Sequence, residues 1–428
     1  MSEDVINHKC PCCGATLEFD AGSQMVKCPY CDSEFDPSVL KKNEGDLSQN
    51  EKVDLAADGG EEWAEEELYG ISEYQCQSCG GDIYSDATTS ATLCPYCGNA
   101  VILKGRLSGT LKPDKVIPFQ KTKEQALQGL ADHCGGKRFV PKKFLLNNKL
   151  EEIKGLYVPF WVYDADLDAD VTYRCMTERS WTVGDTEYTE RKYYDVRRAG
   201  EIAFDHVPAD GSSKMPDDLM ESIEPFDYNK SQDFTTGYLS GYVADKYDLD
   251  QDAVRPRIRK RMSEGAADAF RSTVHGYDSV EVTSSEISAR NSCVDYVLYP
   301  VWLMNTDWNG KKFTFAMNGQ TGKTVGNLPT DMIKLGGSTL GLFLAITLGL
   351  SLLMYFGMED FDFGMIVVAI IIGGICAAIF YAYFKSQLKS VEFQHGASNY
   401  YRADSMKIEE QSDVFLYKKT STRRINHN

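Results

Sequence analysis

Histidine is scarce in this sequence: the 428 residues include only six, and these are scattered along the chain. No Ser/His/Asp or Cys/His grouping of the kind used in nucleophilic catalysis stands out. The opening residues, MSEDVINHKC, are polar and lack an apolar run, so we expect no secretory signal. These absences favour a protein that is neither an enzyme nor secreted.

Positive charge is also in deficit. Lys and Arg total 45 against 63 Asp and Glu, which gives a formal net charge of −18. Nucleic acid and anionic lipid headgroups are therefore poor default partners for the protein as a whole. The acidic residues concentrate between 44 and 67, where ten of them accompany a single base, Lys52. Such a segment is typical of a solvated linker.

Cysteine, in contrast, is abundant, with 13 in the chain. Eight of them form two copies of one pattern, a C-x2-C pair followed by fourteen residues and a second C-x2-C pair. Each pair predicts a tight turn that directs two thiolates to one point, and two such turns complete a tetrahedral zinc site. Because four protein ligands leave no open coordination position, we predict two structural zinc ions. The predicted ligands are Cys10, Cys13, Cys28 and Cys31 in the first site, and Cys76, Cys79, Cys94 and Cys97 in the second.

Both cysteine units resemble the zinc ribbon of the transcription-factor-IIB type, which implies nucleic-acid binding. Their charge argues against that function. Lys27 is the only base between Cys10 and Cys31, and there is none between Cys76 and Cys97, whereas phosphate contacts need cations. We therefore expect the ribbons to contact protein or to act as folded spacers. Metal-ligand pairs with the other cysteines scattered also predict a reducing compartment.

Residues 105 to 330 have the composition of an ordinary globular domain. The run Thr122-Lys-Glu-Gln125 predicts a helix that begins with a capping box, and Gly135-Gly136 predicts its end. Two segments, 157–166 and 298–307, repeat a Pro-x-Trp pattern at an offset of 141 residues. Each predicts a strand that begins at its proline. The domain is therefore expected to be an α+β unit with an internal repeat.

A row of aspartates alternates along the first of these predicted strands. It does not fit the EF-hand pattern, so it predicts a solvated strand face rather than a calcium site. The row consists of Asp164, Asp166, Asp168 and Asp170.

The run Gly319-Gln-Thr-Gly322-Lys-Thr resembles the end of a phosphate-binding loop but lacks the first glycine of that motif. Its alternating flanks predict a β-hairpin that turns at Asn318-Gly319. A second helix is predicted from Gln251 to about Val274, with a strongly basic start within 253–262. Two interpretations of these bases stay open: a solvated face with acidic partners, or contact with anionic lipid headgroups.

Two charge-free apolar runs, 335–356 and 364–384, lie near the C-terminal end. Each is long enough to cross about 30 Å of hydrocarbon as a helix. The loop between them carries three acids and no base, whereas lysines flank both outer ends. By the positive-inside rule we expect a two-span cell-membrane protein with both termini in the cytoplasm.

These patterns predict a multidomain fold with two small four-cysteine zinc ribbons, an α+β middle domain with an internal repeat, and a two-helix transmembrane hairpin. The predicted segments are zinc ribbon 1 at 1–36, an acidic linker at 37–70, zinc ribbon 2 at 71–104, the α+β cytoplasmic domain at 105–330, the transmembrane hairpin at 331–388 and a cytoplasmic tail at 389–428.

The chain as a whole resembles a family of bacterial membrane proteins that contain a zinc ribbon. The resemblance is carried by the Cys-Pro-Tyr-Cys pairs, the run YVPFWVYDAD at 157–166, the run AMNGQTGK at 316–323 and the predicted hairpin. One Bacillus member is associated with an envelope-stress membrane complex that involves phage-shock-type and flotillin-like partners. The resemblance therefore implies a non-enzymatic adaptor that recruits cytoplasmic proteins to the lipid bilayer. The alternative is a nucleic-acid-binding or transcription-linked zinc-ribbon factor tethered to the membrane.

Overall fold

The computed structural model describes residues 18–20, 25–31, 33–35, 55, 59–86, 91, 93–141, 144, 153–357, 363–391 and 396–424. Cys10, Cys13, most of the acidic linker and the loop 358–362 lie outside these residues. The strands are β1 Glu18–Asp20, β2 Met25–Lys27, β3 Glu34–Phe35, β4 Ile71–Cys76, β5 Asp82–Asp86, β6 Val101–Arg106, β7 Lys115–Val116, β8 Lys154–Val183, β9 Thr186–Asp210, β10 Gln232–Asp233, β11 Val243–Asp245, β12 Ser279–Trp308, β13 Lys311–Asn318, β14 Thr324–Val325 and β15 Lys407–Arg424. The helices are α1 Glu65–Leu68, α2 Lys123–Cys134, α3 Asp217–Ser222, α4 Gln251–Arg271, α5 Met332–Gly357 and α6 Phe363–Ser386.

Three unusually long strands form the centre of a sheet that connects every described strand. β8 pairs antiparallel with both β9 and β12, and β15 pairs along the outer edge of β9. A two-residue turn at Gly184-Asp185 joins β8 to β9, with Gly184 at φ +59°. Asn309 and Gly310 join β12 to β13, and both have positive φ, as a type I′ hairpin turn requires.

The two prolines of the repeated pattern lie inside their strands, so the prediction that the strands begin there is wrong. Pro159 pairs with Leu298, Pro300 pairs with Tyr157, and the two segments are therefore antiparallel neighbours. Each of these two strands has a further neighbour on its other side, β9 beside β8 and β13 beside β12. Each proline carbonyl accepts a hydrogen bond from the first residue after that neighbour, Gly211 after β9 and Gly319 after β13. The proline nitrogen points to the same side as its carbonyl, where the neighbouring strand has already ended. The missing N–H of proline therefore costs no hydrogen bond of the sheet.

One face of the long strands packs against α4, as the predicted helix pattern requires. The side chain of Asp250 caps this helix by accepting from the backbone N–H of Ala253. The helix ends at Arg271, slightly before the predicted end. Its buried side includes Val254, Ile258, Met262, Ala266 and Phe270, which meet the large side chains of β8 such as Trp161, Tyr163 and Tyr173. Burial of each such side chain contributes about 1.5–3 kcal/mol.

The run Asn318–Lys323 forms a hairpin between β13 and β14, as predicted, but the turn lies elsewhere. Gly322, not Gly319, has the positive φ, +89°. Gly319 is required by packing, because a Cβ there would lie 2.6 Å from the Phe119 ring. The buried Asn318 amide accepts from the N–H of Gln320 and Thr321 and donates to the carbonyl of Ile223. This run therefore fixes the loop after α3.

The predicted capping box of α2 is confirmed, because Thr122 and Gln125 exchange side-chain to backbone hydrogen bonds of 3.3 and 3.1 Å. The two apolar helices α5 and α6 pack side by side. Gly373 permits their close approach, because a Cβ there would lie 2.4 Å from Thr347 Oγ1. Ala377, one turn later, is also buried.

Candidate metal centre and its setting

The second cysteine unit brings its four predicted ligands together. Their sulfur atoms all lie within 4.8 Å of one another, and the cluster can hold a metal ion. Cys76 Sγ lies 3.5 Å from Cys97 Sγ, and Cys79 Sγ lies 3.6 Å from Cys94 Sγ. A tetrahedron with zinc–sulfur bonds of about 2.3 Å has edges of about 3.8 Å. The observed spacing therefore fits one four-coordinate metal ion, with no position left for a substrate.

Backbone turns place these thiols. Cys76 donates its N–H to the carbonyl of Gly81, and Cys94 donates to that of Asn99. In each pair the glycine after the second cysteine, Gly80 or Gly98, has a φ above +70° and returns its N–H to the first cysteine. The C-x2-C-G spacing thus produces the turn, because only glycine adopts this conformation without strain.

The four thiols differ in their electrostatic surroundings. Burial raises the pKa of Cys79 and of Cys94. Burial opposes ionisation of Cys97 as well, but hydrogen bonds from Asn99 outweigh it and lower the pKa of Cys97 to about 7. The Asn99 amide lies 3.4 Å from Cys97 Sγ and also donates to Ser78 Oγ. Such outer contacts orient a metal ligand.

The first cysteine unit is described only in part. Cys28 is fully buried and donates its N–H to the carbonyl of Ser33, and Cys31 Sγ lies 3.2 Å from Ser33 Oγ. Cys10 and Cys13 lie outside the described residues. A second four-cysteine site therefore stays a prediction.

The second unit is built into the central sheet. Strand β5 pairs with β11, and β11 runs parallel to the start of β8. The Asn305 amide donates to the carbonyls of Pro95 and Tyr96 at 2.9 and 2.8 Å, and Lys154 donates to that of Leu93. Sequence spacing predicted the cysteine cluster but gave no sign of this docking.

Tyr96, between the last two ligands, anchors the docked turn. Its hydroxyl is buried and faces the carboxyl group of Asp245, which is 1% exposed. Burial raises the pKa of Asp245 to about 7. The equivalent tyrosine of the first unit, Tyr30, is 84% exposed.

The aspartate row is held by arginines and a histidine on neighbouring strands and on the C-terminal segment, which agrees with the predicted solvated strand face. Each member has a different partner, and the row offers no cluster of three or more metal-ligating groups within the described residues. The pairs are Asp164 with His206 at 3.0 Å, Asp166 with Arg402 at 3.1 Å, Asp168 with Arg290 at 3.3 Å and Asp170 with Arg197 at 2.5 Å.

The basic start of α4 also finds acidic partners. Arg261 is 3% exposed and makes a two-pronged ion pair with the buried Glu224, at 3.1 and 2.7 Å. Tyr400 donates to the same carboxylate at 2.6 Å. Arg257 pairs with Asp210, at the end of β9, at 2.9 Å and also with Asp217 of α3. These contacts favour the acidic-partner interpretation over contact with lipid headgroups.

Helices α5 and α6 are long and apolar enough to cross a membrane. Their large apolar side chains face outward, away from the protein. The start of α5 and the end of α6 lie next to the rest of the protein, and we call these ends the base of the helices. The segment after α2 packs against this base: the Phe139 and Phe384 ring centroids are 4.9 Å apart, and Lys137 donates to the carbonyl of Gln387 at 2.8 Å.

Hydrogen bonds among Ser390, Gly326 and His133, which we call the clasp, join the chain segments at the same base. The Ser390 hydroxyl donates to the carbonyl of Gly326 at 2.8 Å and accepts from its N–H, while His133 Nε2 contacts that carbonyl at 2.9 Å. Burial lowers the pKa of His133. No sequence signal pointed to this role, because the three residues are far apart in the chain.

Comparison with known proteins gives one informative match. The chain is 35% identical over 354 residues to the uncharacterized protein YdjG of Bacillus subtilis strain 168, covering 82% of this chain and 98% of that protein. No protein-family model and no solved structure matches.

Proposed function

This chain belongs to the family of Bacillus subtilis YdjG, and we propose that it is a non-enzymatic, membrane-anchored adaptor. Helices α5 and α6 cross the cell membrane, both termini lie in the cytoplasm, and the body recruits cytoplasmic proteins to the bilayer. Partners of the phage-shock or flotillin-like kind, in an envelope-stress complex, are those that the family resemblance implies.

The observation that carries this proposal is the pair of outward-facing apolar helices clasped to a large polar body. In water such helices would expose far more apolar surface than a monomer tolerates. The flanking lysines, such as Lys334 and Lys389, support a cytoplasmic position of the body under the positive-inside rule. There a reducing environment keeps cysteine thiolates available as metal ligands.

Two zinc ions, one per cysteine unit, complete the proposed molecule. Four thiolates favour zinc among common cellular metals, and a closed coordination shell makes each ion structural. The alternative of a tethered nucleic-acid-binding factor is disfavoured by the acidic net charge and by the near-absence of bases in both units.

Site-specific photo-crosslinking in living cells tests the adaptor role. A photoreactive amino acid at position 30, which is exposed, should give crosslinks to cytoplasmic proteins, whereas one at position 96 should crosslink only within the chain. As a topology control, Asp360→Cys should react with an impermeant thiol reagent in intact cells and Gln387→Cys should not, both in a Cys376→Ala background. Reversed labelling would place the body outside the cell and refute a cytoplasmic adaptor. An absence of crosslinks from position 30 and from other exposed positions of the body would refute recruitment.

A further inference from the structure

A three-stranded arm projects beyond the rest of the sheet. It consists of residues 177–194 of β8 and β9 together with residues 415–424 of β15. β12 stops pairing with β8 at Met176, so the last seven residues of β8 extend about 20–25 Å beyond it. Ile153, just before β8, packs in one cluster with Leu335 and Leu388 at the base of the apolar helices. From there the arm starts roughly 75 Å of extended strand further along β8. A membrane surface at that base is therefore remote from the arm.

One side of this arm, which we call the arm face, combines aromatic rings with positive charge. By strand alternation it is the side that carries α4 further down the sheet. Trp181 and Tyr188 stack on it with ring centroids 5.7 Å apart and planes 7° from parallel, and Trp181 remains 37% exposed. Four cations and one acid share the face. These are Arg179, Lys192, Lys418 and Arg424 with Glu190.

Two of these cations are already engaged. Lys192 lies 3.4 Å from Glu190, and Lys418 lies 3.4 Å from Glu34. Arg179 and Arg424 are exposed and form no ion pair with any other described residue. In a chain of net charge −18, the arm face is thus an exception where an anionic group meets unneutralised guanidinium ions.

The edge of the arm beside Arg179 is open. Asp278 accepts the N–H of Glu178 and donates its own N–H to the carbonyl of Met176. Since outward-facing backbone groups alternate along a strand, Ser180 and Thr182 direct their N–H and C=O groups away from β9. No strand among the described parts of the chain pairs with them. An unpaired edge of this kind is a template for strand addition.

We propose that the arm binds an extended, acidic segment of a soluble partner protein, which adds as a strand along Ser180–Val183. Its carboxylates face Arg179, and its apolar side chains lie on the Trp181–Tyr188 stack. The backbone match favours a polypeptide over a single-stranded nucleic acid, which could use the rings and cations but not the open edge. This inference rests on the proposed adaptor function and adds one recruiting surface and its chemistry.

Fluorescence anisotropy with the full-length protein in nanodiscs tests the arm. The probe is a labelled ten-residue peptide in which Glu and Val take turns at every second position, with Thr between them, so that Glu and Val lie on the same face of an added strand. It is compared with a peptide that has Lys in place of Glu and with labelled oligo-deoxythymidine. We expect the Glu-Val peptide alone to bind. Arg179→Ala should weaken that binding at least about tenfold, because it removes a charged hydrogen-bonding partner. The matched control Lys419→Ala removes a cation from the opposite side of the arm and should have little effect.

Thr182→Pro tests the edge itself. It removes an outward N–H without breaking the pairing with β9, so it should abolish strand addition, while Thr182→Ala should not. Unchanged binding by both Arg179→Ala and Thr182→Pro would overturn the proposal, as would preferential binding of the oligonucleotide or no binding of any probe. The two proposals can fail separately. If the peptide assays refute the arm proposal but position 30 still crosslinks to partners in cells carrying Arg179→Ala, the adaptor role stands.

Discussion

The two Cys-Pro-Tyr-Cys knuckles share a sequence but differ in their surroundings. In the second, Asn305 binds two knuckle carbonyls and the Tyr96 hydroxyl is buried beside Asp245. In the first, Tyr30 is 84% exposed. Within its described residues, the first unit joins the sheet through β3, which pairs with β15 at two positions.

The shared motif therefore fixes a turn but not a role. The second unit has become part of the scaffold, since its strand β5 pairs with β11 and β11 pairs with β8. The first presents the same tyrosine to solvent, where a partner can reach it. We therefore expect substitutions in the second knuckle to act on stability and those in the first to act on recruitment.

The largest expected effect separates the two metal sites. Cys79→Ser should remove one of two zinc ions and lower the free energy of unfolding by several kcal/mol. Zinc binding contributes about 10–16 kcal/mol in isolated finger peptides, and we expect the substitution to lose part of such a contribution. Cys28→Ser should also remove one ion but leave the unfolding of the body almost unchanged. Elemental analysis and denaturant unfolding measure both quantities.

Cys12→Ser is the matched control, because Cys12 aligns with Ser78 and is not a predicted ligand. It should keep both ions. Equal destabilisation by Cys79→Ser and Cys28→Ser would show that the first unit is as integrated as the second.

Features that depend on neighbours in sequence were predictable from the sequence. The capping box at Thr122 needs only two residues three apart, and the cysteine cluster needs only two short turns. The apolar helices α5 and α6 follow from composition. Asn309-Gly310 was also readable as a hairpin turn, although we did not predict it.

Features that depend on distant partners were not predictable. Arg402 lies 236 residues after the Asp166 that it neutralises, and Asn305 lies about 210 residues after the knuckle that it binds. No local pattern marks such a pair. The prediction that the strands begin at their prolines was wrong for a related reason. A proline is tolerated inside β8 or β12 because the neighbouring strand, β9 or β13, ends beside it.

A smaller effect compares the two tyrosines directly. Tyr96→Ala should lower the free energy of unfolding by about 3 kcal/mol, because it leaves a cavity between the knuckle and the sheet. Tyr30→Ala is the matched control and should change it by less than about 0.5 kcal/mol. Denaturant unfolding in detergent gives both values, and hydrogen exchange along β5 and β11 should rise only in Tyr96→Ala. A similar cost for both would mean that Tyr30 is docked as well.

The smallest effect concerns the carboxyl group beneath the docked knuckle. Burial raises the pKa of Asp245 from the ordinary value of 3.8 to about 7. Since the folded-state pKa exceeds the unfolded one, the neutral carboxyl contributes stability that is complete below pH about 4 and is lost as the pH rises through 7. Burial likewise raises the pKa of Asp210 to about 7, so wild type alone cannot separate the two groups.

Asp245→Asn separates them, because the amide stays neutral at every pH. Between pH 6 and 8 it should remove about 1 kcal/mol of the decline in unfolding free energy seen in wild type. The range stays at or above pH 6, because stronger acid also releases metal from thiolates. Asp210→Asn should keep the part of the decline that belongs to Asp245, since its carboxylate faces Arg257 and not the knuckle. An unchanged pH profile in Asp245→Asn would mean that the carboxyl is already ionised when the knuckle is docked.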